Sequence, residues 1–335
     1  MSNGIPLERH WSSLIKRLKR RTRLYAGLTE ARTAAILEHE IRLQLQALVP
    51  HWSALQPGTS AEEICAAILI YRLNDEARDH CQAFISDLPQ TPEHTAAIRQ
   101  ATILSQPLAT TEDDAWTDIL TTPETTTGHD WKTAMTQLLQ QHKFEAVDHF
   151  ATMTSGHERL YALALAVRAG DAHAFETLSR LEAEHPEQIW SAYWLCARPD
   201  ACERILHALE TPHTAHQAAV VWEMMSGQTL SWQPTVGSID GQKRSQGPKL
   251  PDPSTAQVWW QQHQQMPLPL LHGKPLQTAE LEIFLQQYCG QITEPLWWLR
   301  QYQQQQYLPD MHQSWHLHRL QVLNPQSGEH AHAAR

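Results

Sequence analysis

The stretch YALALAVRAGDAHAFETLSRL, residues 161–181, sets the pattern that decides the fold. A helix of small and apolar residues leads into a polar turn at Asp171, and a second helix follows. Two later stretches share the first helix and the polar turn, SAYWLCARPDACERILHAL at 191–209 and QAAVVWEMMSGQTLSW at 217–232, and a second helix clearly follows in the former. Units of this length that pack only on their neighbours are typical of α-solenoid repeats.

The spacing between the three copies supports a repeat. Aligning Ala162, Ala192 and Ala219 gives steps of 30 and 27 residues, and Asp171 and Asp200 lie 29 residues apart in equivalent turns. An aspartate in such a turn can cap the helix that follows, so both are predicted N-caps. The sequence therefore predicts an all-α fold, an α-solenoid of HEAT-like helix pairs with a C-terminal helical cap. A helix bundle that only resembles a repeat stays open as the alternative.

Helix starts are also clear outside the repeat. SAEE at residues 60–63 has the spacing of a capping box, and Thr91 before Pro92 predicts another N-terminus. No stretch shows convincing period-two alternation, so no strand is predicted. The expected organisation is N-terminal helices at 1–57 with a basic first helix, a repeat array at 58–231, a Pro/Gly-rich linker loop at 232–253, a C-terminal helical subdomain at 254–324 and a flexible tail at 325–335.

Charge is distributed unevenly along the chain. Residues 1–32 hold eight basic and two acidic side chains, a net of +6; since the whole chain is −10, the other 303 residues carry −16. This basic end is either a solvated helix face or a site for an acidic partner or a membrane surface. The candidate basic patch consists of Lys16, Arg17, Lys19, Arg20, Arg21 and Arg23.

The sequence excludes several classes of protein. No run of about 18 apolar residues is present, so no transmembrane helix is expected. The N-terminus MSNGIPLERHW lacks the apolar core of a secretory signal, and none of the five cysteines lies in a CxxC. A cytoplasmic protein with reduced, buried thiols is the resulting expectation.

A search for catalytic motifs gives no support for an enzyme. The chain contains no GxxxxGK[ST], GxGxxG, GxSxG or HExxH motif. His312 and His316 stand four residues apart and could share a metal on one helix, but no carboxylate or thiol at a recognisable spacing accompanies them. We therefore expect no catalytic residues, no cofactor and no metal.

Tryptophans and two cations are the candidate partner-binding residues. Indoles on the repeat helices more often pack between helices than bind a ligand, but adjacent pairs differ because neighbouring residues on a helix point about 100° apart. One member of such a pair can reach a partner, although the pairs could equally pack on each other. The candidates are Trp190, Trp194, Trp222, Trp259, Trp260, Trp297, Trp298, Lys243 and Arg244.

Three motifs between residues 217 and 324 carry a family resemblance. They are Ser226-Gly227-Gln228 at the end of a helix, Pro251-Asp252-Pro253 before the Trp259-Trp260 helix, and the turn Gly273-Lys274-Pro275-Leu276. In this order they resemble bacterial HEAT-like proteins of uncharacterised activity found in gene neighbourhoods of type VI secretion systems. Residues 24–49 match the opening helices of that group more weakly.

The resemblance implies a function in secretion but supplies no catalytic residues. The expectation is a non-enzymatic protein-interaction scaffold, a cytosolic adaptor or chaperone that binds a type VI effector or spike component. The alternatives are a nucleic-acid-binding HEAT-like protein related to DNA glycosylases, or an effector or immunity protein of the same system. Five basic against ten acidic residues at 155–231 argue against nucleic acid as a partner. The oligomeric state is left open.

Overall fold

A computed structural model of the chain describes residues 7–105, 157–234, 237–239, 242–244, 249–304 and 311–323. Helices dominate these residues, and the strands between them are only two or three residues long, so the all-α prediction is confirmed. Among the described helices, none has both the length and the apolar character that a membrane-spanning helix requires. The predicted tail at 325–335 lies outside the described residues.

Fourteen α-helices lie in the described residues. In chain order they are α1 (Leu7–Tyr25), α2 (Ala31–Leu48), α3 (Ala61–Arg72), α4 (Arg78–Asp87), α5 (Pro92–Ser105), α6 (His157–Ala169), α7 (Ala172–Arg180), α8 (Ile189–Cys196), α9 (Pro199–Ala208), α10 (Ala215–Ser226), α11 (Pro253–His263), α12 (Thr278–Gln287), α13 (Glu294–Gln304) and α14 (His316–Leu323).

The described residues fall into two compact units. The first contains 7–105, 282–294 and 311–323, so the chain returns to it near the C-terminus. The second contains 295–304 and the described part of 157–281. The domain boundaries expected from the sequence stay predictions.

Local capping explains where several helices begin. Ser60 and Glu63 form the predicted capping box at α3, and the Thr91 hydroxyl accepts a bond of 3.2 Å from the His94 amide at α5. Asp171 caps α7 as predicted, by accepting from two amides of its first turn. The prediction for Asp200 is wrong. Pro199 is already the first residue of α9, and the Asp200 carboxylate instead pairs with the Arg198 guanidinium at 2.7 Å.

The core of the first unit is centred on α3. Every residue from Ile64 to Tyr71 is buried, which is the pattern of a helix surrounded by others. Helices α1, α4 and α5 pack around it, and α2 packs along α1. Leu14 and Leu18 of α1 reach this core, so α1 is fixed with its opposite face outward.

In the second unit, neighbouring helices pack in order. Helix α6 contacts α7, α8 contacts α9, and α9 contacts α10. Helix α8 also contacts both α6 and α10, the helices two positions before and after it. Helix α8 therefore contacts two alternate helices as well as α9, the helix that follows it.

Short strands pair antiparallel at four places in the described residues, although no strand was predicted. The pairs are β1 (Thr29–Glu30) with β8 (Tyr288–Cys289), β2 (Trp232–Pro234) with β5 (Lys249–Pro251), β3 (Gly237–Ile239) with β4 (Gln242–Arg244), and β6 (Leu270–Leu271) with β7 (Lys274–Pro275). Strands this short cannot display period-two alternation, so that pattern does not reveal them.

Candidate functional site

The turn at residues 272–273, which follows α11 in the chain, is hydrogen-bonded to the C-terminal end of α10. Gly227 ends α10 with φ of 71°, a conformation that favours glycine. The amides of His272 and Gly273 donate to the carbonyls of Met224 and Met225 at 3.0 and 2.8 Å. Two of the motifs that carry the resemblance, the turn at Gly227 and the turn at Gly273, therefore contact each other.

Helix α11 is placed by its cap and by its aromatic face. The Asp252 side chain accepts from the Ser254 amide at 3.0 Å and Pro253 is the first helical residue. Trp259 packs edge-on against Trp222 with ring centroids 5.1 Å apart and stacks on His263 at 4.0 Å. These contacts bury the aromatic face of α11 and leave its opposite face exposed to solvent.

A groove lies along the exposed side of α11, and we call it the Trp259 groove. It has a volume of about 360 Å³. Val258 on its wall is 55% exposed, a high value for a β-branched aliphatic side chain. Its lining contains two amides, two hydroxyls and two apolar side chains, and no charged one: Gln228, Gln262, Ser254, Thr255, Val258 and Trp259.

A second groove lies between α7 and α9 and differs in its chemistry. It has a volume of about 530 Å³ and contains Glu182, Arg204 and His213 in its lining. The Glu182 carboxylate accepts from the Arg204 guanidinium and from the Tyr193 hydroxyl, both at 2.8 Å. The acid and the base in this groove therefore neutralise each other.

The candidate tryptophans are all buried within the second unit. Trp194 donates its indole N–H to the Leu270 carbonyl at 2.8 Å, and Trp190 donates to Pro186 at 2.7 Å. Trp259 alone of the seven lines the Trp259 groove. The full set of buried indoles is Trp190, Trp194, Trp222, Trp259, Trp260, Trp297 and Trp298. Lys243 and Arg244 lie on strand β4.

The structure divides the predicted basic patch into three groups. Arg21 is buried and forms an ion pair with Glu38 at 3.0 Å, while Arg17 is half-buried and pairs with Glu40 at 3.0 Å. The remaining four side chains are exposed on the surface of α1: Lys16, Lys19, Arg20 and Arg23. Part of the patch is thus structural, and the other part has no ion-pair partner among the described residues.

A buried polar cluster in the first unit was not anticipated from the sequence. Glu38 accepts from Arg21, from the Tyr25 hydroxyl and from the backbone amide of His316. Arg319 donates to the Tyr25 hydroxyl at 3.0 Å, and burial raises the Tyr25 pKa well above its ordinary value. The cluster ties the C-terminal segment to α1 and α2, which makes its role structural.

All five cysteines are free and buried. Burial raises the pKa of Cys65 and of Cys202 to about 12, and it raises the pKa of Cys196, Cys81 and Cys289 as well. Thiols with such pKa values are protonated at neutral pH and are poor nucleophiles.

The histidines near the C-terminus do not share a helix. His312 lies in the short 3₁₀ segment Met311–Gln313, whereas His316 is the first residue of α14. The Nδ1 atom of His318 forms a hydrogen bond of 2.7 Å with the Ser314 hydroxyl. Among the described residues, no group of three or more His, Cys, Asp or Glu side chains is placed to hold a metal ion.

Comparison with models of known protein families gives no matching family, and comparisons with curated proteins and with solved structures give no match.

Proposed function

We propose that this protein is a non-enzymatic scaffold of stacked helix pairs, and that the Trp259 groove binds a neutral segment of a partner protein. The observation that carries the proposal is the lining of that groove. It combines exposed apolar surface with two side-chain amides and two hydroxyls, and it contains no charged side chain. A further proposal, based on the resemblance, assigns the partner to a type VI secretion system.

The contacts in the second unit support the stacked arrangement. In an α-solenoid, each helix pair packs on the next, so alternate helices form continuous layers. The contacts of α8 with both α6 and α10 have this form, and α7 and α9 complete the two pairs. The proposed repeat is the HEAT-like one indicated by the 30- and 27-residue steps in the sequence.

The chemistry of the groove suits a polypeptide backbone. The side-chain amides of Gln228 and Gln262 can each donate and accept, so they can satisfy both the N–H and the C=O of an extended segment. Val258 supplies apolar area that a partner side chain would cover. A phosphate backbone would need cations here, and the lining has none, so the nucleic-acid alternative is less well supported.

The type VI assignment rests on sequence resemblance. Every residue that lines the Trp259 groove falls within 217–324, the part of the chain that carries the resemblance. The proposed partner is an effector or a spike component, and the protein would act as its adaptor or chaperone.

Binding measurements with the proteins encoded beside this gene test both proposals. Each neighbour is purified and titrated against the wild-type chain and against Val258→Asp, which places a charge in the neutral groove. We expect one neighbour to bind, and the substitution to weaken its Kd by about tenfold or more. Ile36→Asp is the matched control, because Ile36 is a 58% exposed β-branched residue on α2, in the other unit.

The outcomes separate the two proposals. If a neighbour binds both variants as it binds the wild type, the Trp259 groove is not the contact. If none of the neighbours binds the wild-type chain, the type VI assignment fails, and a partner found elsewhere that is lost with Val258→Asp would still support the groove.

A further inference from the structure

The outward face of α1 is a row of cations. Arg9, Lys16, Arg20 and Arg23 are spaced by seven, four and three residues, which places them on one side of a helix, and Lys19 borders them. All five side chains are exposed. At 1.5 Å per residue the row is about 21 Å long.

These five cations have no acidic partner among the described residues. The neighbouring cations on the same helix differ, since Arg17 and Arg21 are paired with Glu40 and Glu38. We call the five unpaired side chains, Arg9, Lys16, Lys19, Arg20 and Arg23, the α1 basic face. Its charge contrasts with the net charge of −10 of the whole chain.

The position of α1 in the first unit fixes the direction of this face. Leu14 and Leu18 are fully buried in the core, and Trp11 packs against the same cluster. The helix therefore cannot turn an apolar stripe outward, and none of the large exposed apolar residues of the described chain lies on α1. Any partner of this face is attracted by charge alone.

We propose that the α1 basic face docks the protein on an anionic lipid surface. Protein interfaces depend on buried aromatic or aliphatic anchors, and this face has none. Single-stranded nucleic acids are bound by stacking on aromatic rings, but Trp11 and Tyr25 point into the first unit. A bilayer with anionic headgroups presents a flat, diffuse charge that needs neither an anchor nor a stacking ring.

The affinity of the protein for an anionic bilayer should fall with each cation that is removed from the α1 basic face. Each lysine or arginine close to an anionic bilayer contributes about a fivefold gain in partitioning, and salt at about 0.1 M limits this attraction to about 10 Å. Removing three cations should therefore weaken binding by about a hundredfold. Only the cations nearest the surface contribute at that ionic strength.

Co-sedimentation with vesicles tests the proposal on the full chain. We expect the wild type to bind vesicles of phosphatidylcholine with phosphatidylglycerol at low salt, and not vesicles of phosphatidylcholine alone. The triple variant Lys16→Gln/Arg20→Gln/Arg23→Gln should lose about a hundredfold. The matched control Arg180→Gln/Lys249→Gln/Lys274→Gln removes three exposed cations of the second unit and should bind as the wild type does.

Three results would overturn the proposal. One is a wild-type chain that stays in the supernatant with anionic vesicles at low salt. Another is an equal loss in the control variant, which would show a response to net charge only. The third is tighter binding of the wild-type chain to a short DNA duplex than to the vesicles at the same salt concentration, if the triple variant no longer binds that duplex. Val258→Asp should leave vesicle binding unchanged, so this test is independent of the proposed groove.

Discussion

At the scale of single residues, Gly290 is the most constrained of the described glycines in the first unit. It has φ of 104°, and a methyl group on its Cα would overlap the backbone oxygen of Gly27. A side chain can be accommodated only if β1 and β8 separate, because Cys289 is paired with Thr29 immediately beside it. The close approach of two backbones thus requires glycine at this position.

Gly290→Ala should destabilise the protein by about 3 kcal/mol or more, since it combines a strained φ with a backbone clash. The free energy of unfolding in urea, followed by circular dichroism, measures the change. Gly27→Ala is the control, because nothing lies within 4 Å of the added carbon, and it should stay within about 0.5 kcal/mol of the wild type. Equal stability of the two variants would show that the two backbones are not in contact.

Glu38 and Glu40 offer a comparison of a buried and a half-exposed ion pair on one helix. Glu38→Gln would remove the carboxylate that faces the buried Arg21 and Arg319, and we expect a loss of about 3–5 kcal/mol. Glu40→Gln breaks the partly exposed pair with Arg17 and should cost about 1 kcal/mol or less. Urea titrations of both variants measure the difference. A similar small cost for both would mean that water reaches Glu38.

At the scale of elements, the sequence predicted best the features that depend only on residues close together in the chain, such as helix starts. The capping box of Ser60 and Glu63 spans three residues, and its bonds form as expected. Asp200 was misassigned because α9 begins at Pro199, which places Asp200 inside the helix, where its carboxylate pairs with Arg198. The β3–β4 pairing was missed although the sequence between the two strands is Asp240-Gly241, a dipeptide that favours hairpin turns.

Helix α14 should make the first unit sensitive to acid. Burial and then the charge of Arg319 lower the pKa of His316 and His318 below 6.5, while Glu38 opposes this at His316. Because these pKa values are lower in the folded than in the unfolded state, unfolding takes up protons, and stability is lost as pH falls through 6.5. Above that pH the contribution of the two histidines is fully present.

The unfolding free energy measured at about pH 7.5 and at about pH 5.5 tests this dependence. His316→Gln/His318→Gln should lose less stability over this interval than the wild type does. The control His207→Gln/His216→Gln removes two exposed histidines of the second unit and should follow the wild type. A double variant with an unchanged pH dependence would assign the acid response to other groups.

At the scale of the whole molecule, the contacts that complete the first unit are the ones that the sequence could not predict. Arg21 donates to the carbonyl of Gln313, which is 292 residues away in the sequence. Trp315 donates its indole N–H to the carbonyl of Leu104, which is 211 residues away. No local pattern marks such pairs. Likewise, the sequence pointed to the segment that contains Trp259, but the groove is closed by Gln228 from a different element.

The thiols provide a test of the core of the whole chain. Cys65, Cys81 and Cys289 are buried in the first unit, and Cys196 and Cys202 in the second. Because burial raises their pKa values, we expect a thiol-specific disulfide reagent to modify none of them in native buffer near neutral pH, and all five in denaturant.

The three thiols of the first unit should become reactive together as urea increases, because they belong to one compact unit. Mass spectrometry of the labelled peptides at each urea concentration identifies which thiols have reacted. Rapid labelling of Cys65 or Cys196 in native buffer would contradict the buried positions of α3 and α8.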